Sequence, residues 1–262
     1  MRAISGPYLE LSNFTGGLHS YSMRLALVLS GGGMFGAWQA GAWSVLSRHM
    51  SPDLVVGASV GALNGYAIAA GATPEDLRKL WLAPRFRRIR DLSKNTRELL
   101  ANHRPRIEFA ITATDLLRLK PRIFKGDEIT DRHLCASCAI PVVLPQVRIN
   151  GRLYSDGGLQ NPLPVWAAVE LGATHIVGLN ALPEIPPGLL KPLVKVFRGV
   201  AGYHPPVPAG VTAEVIKPSR RLGTVREAIR WNPVRIERWI EQGASDAESA
   251  LKNISFLNCL GR

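Results

Sequence analysis

Cysteine is scarce in this chain: three residues in 262, at positions 135, 138 and 259. Three thiols do not build the disulfide framework of a small secreted scaffold, and they point to a reducing, cytoplasmic setting. Cys135 and Cys138 form a C-x-x-C pair. A zinc site needs a second pair of ligands, and only Cys259 remains; adding the nearby His133 still leaves a poor ligand set, so the pair reads as small, mostly buried thiols. Acidic residues are also few, 20 Asp and Glu against 32 Lys and Arg, for a formal charge of +12. The basic excess gathers in residues 84–106 and 217–238. Such a surface attracts anionic headgroups, acidic partners or nucleic acid, and its plain reading is a solvated face. With no C2H2 spacing and no RNP-type aromatic motif, specific nucleic-acid binding is not expected.

Continuous apolar runs are missing where a leader or an anchor would need them. Residues 1–22 hold no apolar core of the signal-peptide kind. Met23 directly precedes the first strand-like run, so residues 1–22 are expected to form an extension outside the fold, with Met23 as an alternative start. Residues 25–47 and 54–74 are uncharged for about the length of a membrane span. Glycines and a change from strand to helix pattern break both, which suits buried strand–turn–helix units better.

What is present is an alternation of short apolar runs and helical patterns. "LALVL" (residues 25–29) reads as a strand buried on both faces, and residues 34–46, apolar all round, as a central helix. "PDLVVGAS" and residues 60–70 repeat the pair, and this spacing predicts a parallel sheet with helices on its faces. Pro74-Glu75-Asp76 opens a further helix. Residues 106–117 alternate as a strand, with "PRIFKGDEI" as its neighbour. Asn150-Gly151 between two alternating runs is a hairpin signal. A helix in "LPVWAAVELG", a buried strand "HIVGLN" and a helix over residues 233–241 complete the pattern.

Three turns carry chemistry. Gly31, Gly33 and Gly36 in "SGGGMFG" fit the G-x-G-x-x-G fingerprint of a dinucleotide-binding turn. That reading requires an acidic residue at the end of the second strand. Asp53 stands about 20 residues beyond the glycines, but it precedes its strand and belongs to the wrong sheet edge. At the right edge stands Gly57-Ala58-Ser59-Val60-Gly61, a G-x-S-x-G between strand and helix, the form of a nucleophile elbow. A serine nucleophile needs a proton acceptor and donors for the oxyanion. Gly31, Gly32 and Gly33, following a parallel strand, would present backbone N–H groups beside Ser59. Among six histidines, His175 begins its strand, His49 lies far from the elbow, His19 falls in the extension, and His103, His133 and His204 have no motif. Asp156 in "DGG", at a strand end, is the better acceptor.

The motifs "GGGMFG", "GASVG" and "DGG", in this order, resemble those of the patatin-like phospholipases. "ASCAIPVVLP" and "DGGLQNPLPVWAAVELGATHIVGLN" extend the resemblance over residues 25–181, and more weakly into the last third. The resemblance implies a three-layer α/β/α sandwich with a mostly parallel central sheet. It also implies a Ser59–Asp156 dyad, an oxyanion hole at Gly31, Gly32 and Gly33, and a lipid or other fatty-acyl ester as substrate. No metal or organic cofactor is implied. The family usually carries Arg or Lys where this chain has Phe35. Residues 23–182 are expected to form the catalytic domain, and residues 183–262 a helical and loop region packed on it. Within that region "LLKPLVKVFRGVAG" (residues 189–202) spaces apolar and basic residues as an amphipathic helix suited to peripheral contact with an anionic membrane, or to packing with snorkelling lysines. The alternatives to the hydrolase are a non-catalytic lipid- or partner-binding member, an acyltransferase or thioesterase, and a nucleotide-binding domain.

Overall fold

The computed structural model describes residues 23–84, 91–183, 202–203 and 205–260. The expected extension, His19 and His204, part of the first basic segment and nearly all of the expected amphipathic helix lie outside the described residues.

Five segments form the parallel part of one sheet: β1 (Leu25–Leu29), β2 (Leu54–Ala58), β3 (Glu108–Asp115), β7 (His175–Leu179) and β8 (Thr212–Ile216), in the order β3-β2-β1-β7-β8. β1 and β2 are buried at every position, because helices cover one face and other chain the opposite one. One face of the sheet packs on α1 (Gly36–Leu46) and α2 (Val60–Ala69), with α3 (Pro74–Leu82) set against those two helices, and the other face packs on α6 (Val165–Glu170). This is the expected three-layer α/β/α sandwich. The strand order reverses at β1, and open parallel sheets bind ligands at the C-terminal ends of strands beside such a reversal.

The antiparallel strands decide where the third motif falls. β4 (Lys120–Lys125) pairs with residues 110–115 of β3 and so takes one whole edge of that strand. The opposite edge is shared. Residues 54–58 of β2 pair with residues 108–112, and then β6 (Arg152–Ser155) pairs through Ser155 with Thr114 and through Tyr154 with Asp115. β6 runs against β3 and therefore arrives head-on at the C-terminal end of β2. β5 (Val147–Ile149) completes the hairpin, and its turn residue Asn150 has a positive φ of 46°, as the sequence predicted for Asn-Gly.

Three further helices follow: α5 (Asp131–Ser137) packs on the sheet, α4 (Leu92–Asn102) on α5, and α7 (Val225–Ala228) on the turn at residues 33–35. α8 (Pro233–Leu251) is longer than the pattern predicted, and α9 (Ser255–Leu260) follows it. Asn232 caps α8 by accepting from the Arg235 N–H at 3.0 Å, with Pro233 in the first turn. Its buried stripe, Ile236, Trp239, Ile240, Gly243 and Ala247, follows helical spacing and packs on α1. A Cβ on Gly41 would lie 1.8 Å from the Ile240 carbonyl oxygen and one on Gly243 2.0 Å from that of Trp38, so the two helices touch through their backbones. α1 is thus enclosed by sheet and helix, which is why it is apolar all round. The region beyond residue 183 does more than pack on the core, since β8 extends the sheet beside β7. Among the described residues no helix is long and apolar enough to cross a membrane.

Candidate functional site

Ser59 stands between β2 and α2 with φ 54° and ψ −126°, a conformation that L-residues adopt only under constraint. The constraint is steric closeness on both sides. A Cβ on Gly57 would lie 2.3 Å from the Gly61 carbonyl oxygen, and one on Gly61 2.3 Å from that of Leu29. Only glycine at both positions lets the turn close this tightly against the end of β1. The side chain is turned up at the C-terminal edge of the sheet and is 4% exposed.

The elbow is tied down by a residue that the sequence did not single out. The Ser59 N–H donates to Ser137 Oγ at 2.9 Å, and Ser137 Oγ donates to the Thr112 carbonyl at 2.8 Å. The Gly157 N–H donates to the Ser137 carbonyl at 3.0 Å, so this one residue of α5 links the elbow, β3 and the aspartate loop. Ser137→Ala strands the Ser59 N–H in a dry site, and stability is expected to fall by about 1–3 kcal/mol, read by chemical denaturation. No fall would mean that the N–H finds another acceptor.

Asp156 follows β6 directly and is 7% exposed. Its N–H donates to the Ala139 carbonyl, its own carbonyl accepts from Thr114 Oγ1 at 2.9 Å, and its Oδ1 accepts from the Gly158 N–H at 2.7 Å. The glycine loop lies between this turn and the elbow. A Cβ on Gly31 would lie 3.3 Å from Ser59 Cβ and 3.9 Å from Gly158 Cα, and one on Gly158 would lie 3.0 Å from Asp156 Oδ1. The three motifs therefore meet around Gly31.

The donors differ in one respect from the expectation. The Gly31 N–H donates to the Pro162 carbonyl at 2.9 Å, so it is committed to the fold. The N–H groups of Gly32 and Gly33 are not spent on backbone acceptors among the described residues. Both glycines have positive φ, 155° and 58°, and they lead into the 3-10 turn Gly33–Phe35 ahead of α1. A buried polar chain braces this loop from behind. Ser30 Oγ accepts from the Ala181 N–H, Gln39 Nε2 donates to the Ser30 carbonyl, Asn64 Nδ2 donates to Gln39 Oε1 and to the Gly36 carbonyl, and Trp81 Nε1 donates to Asn64 Oδ1. Neither Gln39 nor Asn64 carries a local mark in the sequence that would point to this role.

Phe35 takes no part in the loop's open side. Its ring packs edge-on against Trp239 with centroids 5.1 Å apart, so the aromatic replaces a charge with core contact and leaves the loop's backbone donors in place. Asp53 sits at the opposite sheet edge, where its Oδ2 accepts from the Leu25 N–H at 2.8 Å. The acid that the dinucleotide reading required is thus a structural brace between the starts of β1 and β2.

Cys138 proves to be a neighbour of the site. It lies beside the Ser59 hydroxyl and close enough to Asp156 to feel its charge. Burial first, then the carboxylate, pushes its thiol well above the usual range, so it stays protonated at neutral pH. Cys135, half-buried, meets Thr96 Oγ1 at 3.4 Å instead. His133 is also structural. Its Nδ1 lies 2.9 Å from Thr130 Oγ1 at the start of α5, and burial lowers its pKa.

An apolar cleft of about 1130 Å³, mouth included, opens beside Ser59. Val60, Leu63 and Ala67 of α2 form its floor, Leu80 and Trp81 of α3 one wall, and Leu99 of α4 another. From Ser59 to Ala67 the floor runs about 12 Å along the helix axis. His103, just after α4, also lines the cleft, and its carbonyl accepts from Tyr66 Oη at 2.7 Å.

Fold and site together define a three-layer α/β protein built around a serine elbow, with a glycine loop and an aspartate turn set against it. The chain belongs to the patatin-like phospholipase family, whose model matches residues 27–132 and 102–169. It is 33% identical over 184 residues to uncharacterized NTE family proteins of Mycobacterium tuberculosis and Mycobacterium bovis, across 62% of this chain and 50% of each of theirs. It thus spans about half the length of the curated relatives it matches. Among solved structures it is similar to VipD from Legionella pneumophila, with a TM-score of 0.50 and 12% identity, covering 88% of this chain and 67% of that one. The type III effector protein ExoU gives a TM-score of 0.40 at 12% identity, covering 88% and 53%. The likeness to VipD speaks for the fold alone.

Proposed function

We propose that this protein is a serine lipid acyl hydrolase, a carboxylic ester hydrolase that works through a Ser59–Asp156 dyad. The observation that carries the reading is the convergence of a strained, buried elbow serine, an aspartate turn and a glycine loop around Gly31, at the mouth of an apolar cleft. Asp156 takes the proton of the Ser59 hydroxyl as Oγ attacks the ester carbonyl. The Gly32 and Gly33 N–H groups stabilise the tetrahedral alkoxide, and they stand at the entry to α1, where the helix dipole adds to the effect. Collapse expels the alcohol, which receives the proton from Asp156, and leaves an acyl-Ser59 ester. A water, deprotonated by the same carboxylate, then releases the fatty acid. Gly31 contributes by having no side chain beside Ser59.

The cleft supports a fatty-acyl ester as substrate, because an acyl chain can lie along the apolar floor while its carbonyl remains at Ser59. Cys138 supplies a neutral, buried partner that keeps the hydroxyl out of water without competing for its proton. A fluorophosphonate probe, which reacts readily only with an activated serine, is expected to label the protein once, on the peptide that carries Ser59. No labelling, or labelling elsewhere, would remove Ser59 as the nucleophile and favour a non-catalytic binding role.

A further inference from the structure

The two most exposed large apolar side chains among the described residues, Val142 at 87% and Leu117 at 84%, both stand at the sheet edge that carries Ser59. Val142 belongs to "IPVVLP" (residues 140–145), six apolar residues between α5 and β5. Its neighbours Ile140 and Leu144 line the cleft, and Ala139, just before them, accepts from the Asp156 N–H and from Ser155 Oγ. Leu117 lies in the turn after β3. That turn projects beyond the end of β2, since β2 and β3 are parallel and their pairing ends at Ala58 and Thr112. Gln160, just past the aspartate turn, fastens it by donating to the Leu119 carbonyl at 2.6 Å.

Both tips are held rigidly outward. The Val143 and Leu144 N–H groups donate to the Ile140 carbonyl, and Gln146 Nε2 donates to the Ala139 and Leu144 carbonyls across the base of the loop. Buried Asp115 caps the other turn by accepting from the Leu117 and Arg118 N–H groups at 3.0 and 3.1 Å. Val142 has φ 71°, which a β-branched residue adopts only at a cost. With its side chain exposed, no packing among the described residues offsets that cost. The surrounding charge is basic. Arg118, Leu119 and Lys120 are exposed in the same turn, and the Asp115 carboxylate is already paired with Arg152 at 3.2 Å. Asp127 and Glu128 follow β4, which runs against β3, and therefore sit at the opposite edge.

We infer that this edge of the sheet docks on an anionic lipid surface, with Val142 and Leu117 entering the acyl layer and Arg118 and Lys120 meeting the headgroups. Rigid apolar tips flanked by cations suit a bilayer interface, where burial returns what exposure forfeits. A chain of formal charge +12 is drawn to such a surface before the tips engage. The inference deepens the hydrolase reading by naming the physical form of the substrate, an aggregated lipid surface, and rests on that reading only for the reaction.

The test is co-sedimentation of the protein with vesicles of mixed phosphatidylglycerol and phosphatidylcholine, for wild type and for a Val142→Asn/Leu117→Gln double variant of unchanged charge. Asn tolerates positive φ, and both positions are exposed, so the fold is expected to hold, with thermal unfolding as the control. Wild type is expected to bind, and the double variant to lose at least tenfold in vesicle affinity while hydrolysing a water-soluble short-chain ester at the wild-type rate. Wild type that fails to sediment, or a double variant that binds equally well, would overturn the inference. So would a wild-type dimer that the double substitution splits, since the tips would then be covered by a second copy. Absent ester turnover in both proteins, with the binding difference intact, would sink the hydrolase reading and leave the docking face standing.

Discussion

Ser59→Ala is expected to abolish ester hydrolysis, lowering kcat by about four to six orders of magnitude, with the fold unchanged. The magnitude follows from what the hydroxyl does. Without Oγ no acyl-enzyme forms, and only direct attack by water remains, helped by whatever the glycine loop offers to the oxyanion. The fold is expected to survive because the elbow's anchors are backbone groups: the Ser59 N–H keeps Ser137 Oγ, and the steric closeness of Gly57 and Gly61 is untouched. Alanine also bears the same strain at φ 54° that serine does, so the turn gains no freedom. Steady-state turnover of a short-chain ester, with circular dichroism of the same sample, checks both halves. A folded variant that retained its turnover would end the serine mechanism outright.

The second large effect is expected at the carboxylate. Asp156→Asn should lower kcat by about three to four orders of magnitude, because it removes the proton acceptor and leaves the shape of the site in place. An asparagine oxygen can still accept from the Gly158 N–H where Asp156 Oδ1 does so at 2.7 Å, and the backbone bonds to Ala139 and Thr114 do not involve the side chain. The variant should also react far more slowly with a fluorophosphonate, since acylation and phosphonylation need the same deprotonation. Full activity would move the base elsewhere, and the histidines offer little. His133 is occupied at the start of α5, and His103 lines the cleft just after α4, where its carbonyl accepts from Tyr66 Oη at 2.7 Å. Cys138 is a poor substitute, as burial alone keeps its thiol protonated.

Much of this molecule was readable along the chain because the causes are local. The buried parallel strands announce themselves as short apolar runs, since both faces are covered. β1 coincides with the run "LALVL", and β2 lies within "PDLVVGAS". The elbow was legible for the same reason: glycine two residues to either side of a serine answers to contacts between neighbouring segments. The capped helix at Pro74 and the Asn-Gly hairpin are likewise settled within a few residues.

Other features carried no such local mark. α4 has only one fully buried residue, Thr96, and its apolar side makes sense only as a wall of the cleft. β8 alternates weakly because it is an edge strand, and its place beside β7 depends on a partner far away in sequence. Ser137 carried no mark of its own, and Cys138 read only as one thiol of a buried pair, until α5 was seated against the elbow.

By itself the sequence determined the layered parallel fold and singled out the serine, the aspartate and the glycine loop as candidates, because close backbone packing restricts which residues can stand there. The tertiary structure alone decided that β6 shares an edge of β3 with β2, which delivers Asp156 to the end of the serine's strand. It also decided that Gly31 spends its N–H on Pro162, leaving Gly32 and Gly33 as the donors to be tested. Pairing between distant strands and the fate of a single amide are matters of register, and register is fixed only when the whole sheet has closed.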